Sequence, residues 1–296
     1  MLVKRFFSSV SRGQASSRPK FRVSDLKVVY EDNHLLVLNK PSGMLSQPGL
    51  SRSEIISPVN GRQHSDNLLS YAAHYLRIKY NKTGNVFVSV ANRLDRPVSG
   101  LVVCAKTSKA ASRLAQEFSA RRVSKEYIAV VDGELVGDGV VEAGITSYDG
   151  YWKQRGGVKY LRASSIGNSK RKEKLDGELK YTALQYHMMP DGSFKTLVGI
   201  KTKTGYKHQI RRQMAYLGHP ITGDTLYGKN NTEEARELFP HQDKICLHAS
   251  FLRIRHPVGK RKPVSFVASL SKRFFPWMDL DLPHLSSGSL FQQRKV

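Results

Sequence analysis

The segment that most constrains this chain is a decapeptide in which one carboxylate stands between two arginines. It covers residues 92–101 and is written Asn-Arg-Leu-Asp-Arg-Pro-Val-Ser-Gly-Leu. Residues 86–90 before it and 101–105 after it are short runs rich in β-branched residues, which predicts a strand on each side. The serine-glycine pair predicts a turn into the second strand. The acid, Asp95, is expected to be ionised at neutral pH, because nearby positive charge favours the charged form.

Two interpretations of Asp95 follow from this segment alone. An acid between arginines is typical of a structural ion pair that ties two strands together. The same arrangement is also typical of a functional site. Structural ion pairs and functional sites both perturb a carboxyl group, so this segment does not separate the two interpretations. The choice between them depends on the rest of the chain.

Further motifs accompany this segment in a fixed order. They occupy residues 29–32 with 35–44, 92–106, 122–133, 204–211 with 218–228, and 247–249 with 256–257. Together they resemble the ordered motifs of the RluA-type RNA pseudouridine synthases, and the resemblance spans about residues 27–270. The chain is identified on this basis as a member of that family.

The resemblance implies an α+β fold. It implies a single pseudouridine synthase catalytic domain with a central mixed, largely antiparallel β-sheet flanked by helices and loops. Apolar periodicity independently predicts helices from residue 66 to about 80, from 109 to about 121 with Ser108 as its cap, and from 207 to about 217. The turn at residues 190–193 predicts a hairpin between its flanking strands.

The resemblance also implies a reaction. Such enzymes cut the bond from uridine N1 to ribose C1′, turn the uracil and rejoin it through C5. No atom enters or leaves, so no cofactor and no metal is expected. The reaction needs a carboxylate near the ribose, as nucleophile at C1′ or as base at C2′, and the motif assigns Asp95 to this catalytic role.

Three substrate-binding residues are implied beside it. Arg211 is expected next to Asp95, Tyr127 against the target base, and Arg93 on the RNA as the nucleotide is turned out. His208 and Gln209 are expected to support the site without reacting.

The chain departs from the family pattern at two places. Asn92 stands where the family usually has His, and Tyr206-Lys207 stand where it has Arg and a small residue. Asn92 can still form hydrogen bonds, although it cannot carry a proton. Lys207 is expected to supply the missing charge one position later.

Charge points to the same class of partner. The chain has 48 Lys and Arg against 24 Asp and Glu, a formal net charge of +24. Such a field favours a polyanion, and RNA is the expected partner, with ribosomal RNA favoured over tRNA. No apolar run approaches the roughly 18 residues of a spanning helix, so no membrane partner is expected. A monomer is expected, and Cys104 and Cys246 are expected to be buried small hydrophobes.

The composition of the two termini predicts a targeting segment at the amino terminus and a tail at the carboxyl terminus. Residues 1–24 are basic, serine-rich and free of acids, which is typical of a mitochondrial targeting segment. A basic RNA-binding arm is the alternative, because such arms share the charge pattern. The catalytic domain is expected over residues 25–275, with a variable basic loop region at 134–177 and a tail at 276–296.

The resulting hypothesis is an enzyme of the mitochondrial matrix that modifies a uridine in structured RNA. Mitochondrial large-subunit ribosomal RNA is the leading substrate, and transfer RNA is the alternative. A catalytically silent, RNA-binding ribosome assembly factor is the competing hypothesis. Such a factor would be expected to have lost Asp95 or its arginine partner, and both are present.

Overall fold

The computed structural model describes residues 21, 23, 26–48, 67–142, 150–155, 158–163, 177–228 and 245–270. Its elements, in chain order, are β1 (Lys27–Glu31), β2 (Leu35–Lys40), α1 (Leu68–Lys79), β3 (Ser89–Val90), β4 (Ser99–Ala105), α2 (Ser108–Ser119), β5 (Ser124–Asp132), β6 (Asp138–Glu142), β7 (Gly150–Arg155), β8 (Val158–Ala163), β9 (Glu178–Met188), β10 (Phe194–Thr202), α3 (Gln209–Tyr216), β11 (Leu247–Arg255) and β12 (Pro263–Val267). The expected tail at 276–296 lies outside these ranges, as does all but residues 21 and 23 of the expected targeting segment. Both stay predictions, together with the domain limits.

The strands form one mixed sheet. Their order is β1-β2-β4-β11-β5-β10-β9-β6-β8-β7, with β3 also paired to β4 and β12 to β11. The β4–β11 and β6–β8 pairs are parallel and the other pairs are antiparallel. The expected α+β fold with a mixed, largely antiparallel sheet is confirmed.

Both faces of the sheet are covered near its centre. In β2, Leu36 and Leu38 join the core that holds α1 and α3, whereas Leu35 and Val37 join the core that holds α2. All four side chains are fully buried. A strand covered on both faces is apolar at successive positions, which explains the unbroken Leu-Leu-Val-Leu run.

The predicted helices are present, with one correction. The first residue of α2 is Ser108, and its cap is Thr107, whose side chain accepts a hydrogen bond from the backbone N–H of Ala110 at 3.2 Å. Thr107 has the extended backbone of a cap residue, so its hydroxyl reaches the free N–H groups of the first turn. The predicted hairpin between β9 and β10 is confirmed.

The serine-glycine pair after Asp95 belongs to a strand and not to a turn. Ser99 and Gly100 are the first residues of β4 and pair with His248 and Ala249 of β11. Gly100 has φ of +116°, and a Cβ there would overlap the backbone of Ala249. Glycine is therefore required by the close approach of β11.

The region at residues 134–177 also differs from the sequence-based expectation of a loop. It contains β6, β7 and β8. Gly139 interrupts the apolar alternation of β6. A larger residue cannot replace it, because the ring of Tyr181 occupies the space that a Cβ at residue 139 would need. Residues 143–149, 156–157 and 164–176 of the expected basic loop lie outside the described residues. Cys104 and Cys246 are buried, as expected.

A buried histidine links folding to pH. His248 lies in β11 opposite Ser99 of β4, with Nδ1 2.8 Å from the hydroxyl of Ser99 and Nε2 3.4 Å from the carbonyl oxygen of Ala268. Burial lowers the pKa of His248 to about 4, and the hydrogen bond to Ala268 acts in the opposite direction.

We expect His248 to weaken the fold as the pH falls. Between the ordinary pKa of about 6.5 and the folded value of about 4, the unfolded chain binds a proton that the folded chain does not. The contribution of neutral His248 to the free energy of unfolding is complete above pH 6.5 and is lost toward pH 4. It amounts to about 3 kcal/mol in all. Urea unfolding across this window measures the slope, which should flatten in His248→Asn. A variant slope equal to that of the wild type contradicts this prediction.

Candidate active site

A short segment after β2 holds the turn that carries Asp95. The backbone N–H of Gly43 donates to the carbonyl oxygen of Arg96 at 2.8 Å. The hydroxyl of Ser46 donates to the carbonyl oxygen of Leu94 at 2.8 Å. Both sides of Asp95 are therefore fixed by contacts from a segment about fifty residues earlier in the chain.

Lys40 lies beneath this turn. Its side chain is fully buried, and Nζ donates to the carbonyl oxygens of Pro41, Met44 and Arg96 at 3.0, 2.7 and 3.2 Å. An ammonium group has three N–H donors, so its hydrogen bonds are satisfied. Burial lowers the pKa of Lys40 to about 7, and the charge of Asp95 acts in the opposite direction. Lys40 therefore joins the segment that follows β2 to the turn that carries Asp95.

Arg211 reaches the site from α3. Its Nε and Nη2 donate to the two carboxylate oxygens of Asp224 at 2.6 and 2.9 Å. Its Nη1 lies 3.5 Å from Oδ2 of Asp95, a long hydrogen bond. Burial disfavours the charge of Arg211, but the hydrogen bonds and charge of Asp224, together with Asp95, raise its pKa. The guanidinium is thus held by one buried carboxylate and faces another that is 29% exposed.

His208 closes the side of the site next to Arg211. It precedes α3 in the left-handed conformation, with φ of +55°. Its Nδ1 is 3.0 Å from the hydroxyl of Tyr227, and its Nε2 is 3.8 Å from Oδ2 of Asp95. Burial lowers the pKa of His208, while the charge of Asp95 opposes that shift. The imidazole is therefore biased toward its neutral form.

One pocket gathers these groups. Arg93, Asp95, Tyr127 and Arg211 all line it, as does Leu247. All four residues predicted from the sequence are therefore brought together. The structure shows where these four side chains lie, and their roles in the reaction stay predictions.

Tyr127 forms an inner wall of this pocket. The ring is half-buried and packs against the main core. Burial, with the charge of Asp95, raises the pKa of Tyr127 to about 12, so its phenol is neutral at pH 7. A neutral aromatic ring can stack on a base without adding charge to the site.

A cation from a distant segment also faces Asp95. The sequence indicated its two neighbouring arginines. Arg96 donates from Nε to the carbonyl oxygen of Gly43 at 3.1 Å, and Arg93 is exposed at the pocket wall. The guanidinium of Arg211, from α3, lies 3.5 Å from the carboxylate of Asp95. The sequence around Asp95 could not show this contact, because it joins residues far apart in the chain.

Comparison with known proteins identifies the family. The sequence matches the family described as RNA pseudouridylate synthase over residues 34–216, which is more than half of the chain. The chain belongs to this family.

Two bacterial relatives are similar over most of this chain. It is 29% identical to tRNA pseudouridine synthase C of Pectobacterium carotovorum, over 86% of this chain and 63% of the relative. It is 31% identical to ribosomal large subunit pseudouridine synthase D of Xylella fastidiosa, over 82% of this chain and 65% of the relative. The chain spans less than two thirds of the length of both relatives.

A solved structure shares the fold. Human RNA pseudouridylate synthase domain containing 4 aligns with a TM-score of 0.58 at 20% identity, covering 84% of this chain and 90% of that one. Within the described ranges there is no His, Cys, Asp or Glu group suited to a metal ion. No helix in the same ranges is both long and apolar enough to cross a membrane.

Sequence reasoning missed two residues that support the site. Asp224 and Lys40 both lie inside the motifs, yet neither was assigned a role. Lys40 ends an apolar strand, which is a signal for burial, but one of its three acceptors belongs to a turn 56 residues away. Asp224 follows a glycine in the motif at residues 218–228, and only the folded chain shows that it holds Arg211.

We expect Lys40→Met to destabilise the fold strongly. Methionine has a similar length but leaves three carbonyl oxygens without their donor. The expected loss in free energy of unfolding is roughly 3 kcal/mol or more. Urea unfolding measures it, and the control is Lys203→Met, because the side chain of Lys203 is 65% exposed. Equal stabilities for the two variants would show that the contacts of Lys40 do not stabilise the fold.

Proposed function

We propose that this protein is an RNA pseudouridine synthase that isomerises a specific uridine in structured RNA, with Asp95 as the catalytic carboxylate. The observation that carries the proposal is the setting of Asp95. Its carboxylate is partly exposed in a pocket, faces the guanidinium of Arg211 and shares the pocket with the ring of Tyr127. Membership of the RNA pseudouridylate synthase family indicates which reaction this carboxylate would catalyse.

In the proposed reaction, the bond from N1 to C1′ breaks and a bond from C5 to C1′ forms. The hydrogen on C5 is lost as a proton and N1 gains one, so substrate and product have the same composition. Asp95 acts as nucleophile at C1′ or as base at C2′. Arg211 orients the carboxylate, and Asp224 fixes Arg211.

The other pocket residues handle the RNA. Tyr127 packs its neutral ring against the uracil, a contact that contributes about 1–3 kcal/mol for a stacked base. Arg93, exposed at the pocket wall, contacts the RNA as the nucleotide leaves its helix. Turning out a paired base costs a few kcal/mol, which such contacts offset.

For the substrate we propose mitochondrial large-subunit ribosomal RNA. The name of one relative supports a large-subunit target, and the net charge of +24 suits any folded RNA. Transfer RNA is the second candidate, since the name of another relative gives that substrate. The proposed location in the mitochondrial matrix rests on the sequence of residues 1–24. Diffuse cytosolic signal from a fusion of these residues to a fluorescent protein would reject that location.

The substrate proposal is tested by mapping pseudouridine with carbodiimide and primer extension across mitochondrial ribosomal and transfer RNAs, with and without the gene. A stop in large-subunit ribosomal RNA that disappears on deletion, and returns with the purified enzyme, supports the proposal. A stop that disappears from a transfer RNA moves the substrate to the second candidate. If every stop persists, mitochondrial RNA is not the substrate and the assembly-factor hypothesis gains support.

A further inference from the structure

A second aromatic ring stands at the opening of the pocket. Tyr206 lines the pocket, and it is 44% exposed, whereas Tyr127 is packed against the main core. The two rings therefore lie at different depths. A large aromatic side chain that exposes so much surface beside a ligand pocket is a candidate contact surface.

The loop between β10 and α3 holds Tyr206 in place. The backbone N–H of Tyr206 donates to Oε1 of Gln209 at 3.3 Å, and its carbonyl oxygen accepts from the N–H of Gln209 at 3.1 Å. Oε1 of Gln209 also accepts from the hydroxyl of Thr204 at 2.8 Å. Nζ of Lys125 donates to the carbonyl oxygen of Thr204 at 2.6 Å. The ring is thus presented by a backbone that is already ordered, which lowers the entropy cost of binding.

The charge beside this ring suits a nucleic acid. Lys207 is exposed next to Tyr206, and its charge lowers the pKa of His208, which places it near the site. Arg93 is exposed at the same pocket. Aromatic rings between cations can stack on bases while the cations contact phosphates.

We propose that the ring of Tyr206 is a stacking platform for the base adjacent to the target uridine. This inference rests on the proposed function, because the target uridine occupies the inner pocket beside Tyr127. A base can lie flat on Tyr206 only when it has left its own stack. The neighbouring base is therefore unstacked in the complex, and it is bound through its face, with little dependence on its identity.

The test uses two short single-stranded RNAs. The first consists of adenosines with one central uridine, and the second is the same chain with abasic nucleotides on both sides of that uridine. Fluorescence anisotropy measures the affinity of the full chain and its variants for each. Tyr206→Ala should weaken binding of the first RNA about 5- to 150-fold and leave binding of the second within about twofold. Tyr206→Phe should bind both as the wild type does.

Two further variants separate the ring from other contributions. Lys207→Ala should weaken both RNAs equally, because phosphates are present in both. Tyr186→Ala removes a more exposed ring, 62% exposed on β9, and should change neither affinity. The proposal is overturned if Tyr206→Ala weakens both RNAs equally, or neither.

Failure of the proposed function would look different. Ring-dependent binding by a protein that forms pseudouridine in no RNA leaves the platform standing and removes the activity. Pseudouridine formation with an affinity that ignores Tyr206 does the reverse.

Discussion

Asp95→Asn is expected to abolish pseudouridine formation while RNA affinity stays nearly intact. Asparagine has the shape of aspartate and fits the same turn, but it offers neither a nucleophilic oxygen nor a strong base. Loss of a general base costs about 10²- to 10⁴-fold in rate, and loss of a nucleophile costs about 10⁶-fold. Release of tritium from RNA labelled at C5 of uridine measures the rate, and gel-shift titration measures the affinity.

The size of this loss also bears on the role of Asp95. A loss of about 10²- to 10⁴-fold in rate favours a base at C2′, and a loss near 10⁶-fold favours a nucleophile at C1′. The matched control is Asp191→Asn in the turn between β9 and β10, where asparagine can accept the same hydrogen bond from Ser193. If Asp95→Asn still forms pseudouridine at the wild-type rate, Asp95 is not the catalytic group.

Asp224→Asn is expected to damage stability and activity together. The side chain of Asp224 is completely buried and carries the charge that balances the buried guanidinium of Arg211. Removing one partner of a buried ion pair costs about 3–5 kcal/mol, which in a domain of this size lowers Tm by roughly 6–20 °C. The freed Arg211 should also lose its alignment with Asp95. Calorimetry and the tritium assay measure the two effects.

A surface ion pair provides the comparison. Glu178 is 25% exposed and lies 3.1 Å from Lys203, so Glu178→Gln should cost less than about 1 kcal/mol. At a temperature where Asp224→Asn is fully folded, its rate should still be lower than that of the wild type. Full activity there would mean that Asp224 stabilises the fold without positioning Arg211.

The sequence predicted well those features that local pattern or a motif encodes. The helix at α1 and the hairpin of β9 and β10 follow from periodicity and turn residues within one segment. Asp95, Tyr127 and Arg211 come from three separate segments, and the ordered motifs were enough to place all of them at one site. Ordered motifs identify residues even where they do not show the contacts between them.

The contacts themselves could not be predicted, because they depend on long-range packing. Lysine is rarely buried, and only three carbonyl oxygens gathered from two segments make the burial of Lys40 acceptable. The sequence pattern did not predict the strands at residues 138–163 for a related reason. β6 pairs with β9 and β8, so its hydrogen bonds are decided elsewhere in the chain, and Gly139 weakens its own pattern.

The parallel contact between β4 and β11 determines when the site can exist during folding. It joins Ser99 to His248, while Asp95 must meet Arg211 across 116 residues. Closing loops of that length costs chain entropy before any contact can stabilise the loop. We therefore expect these pairings to form late in folding. A growing chain that ends within β10 has the carboxylate but not its arginine, and one that ends before β11 lacks the strand that fixes β4. The site is therefore a property of the nearly finished chain, and we expect no amino-terminal fragment that stops short of β11 to assemble it.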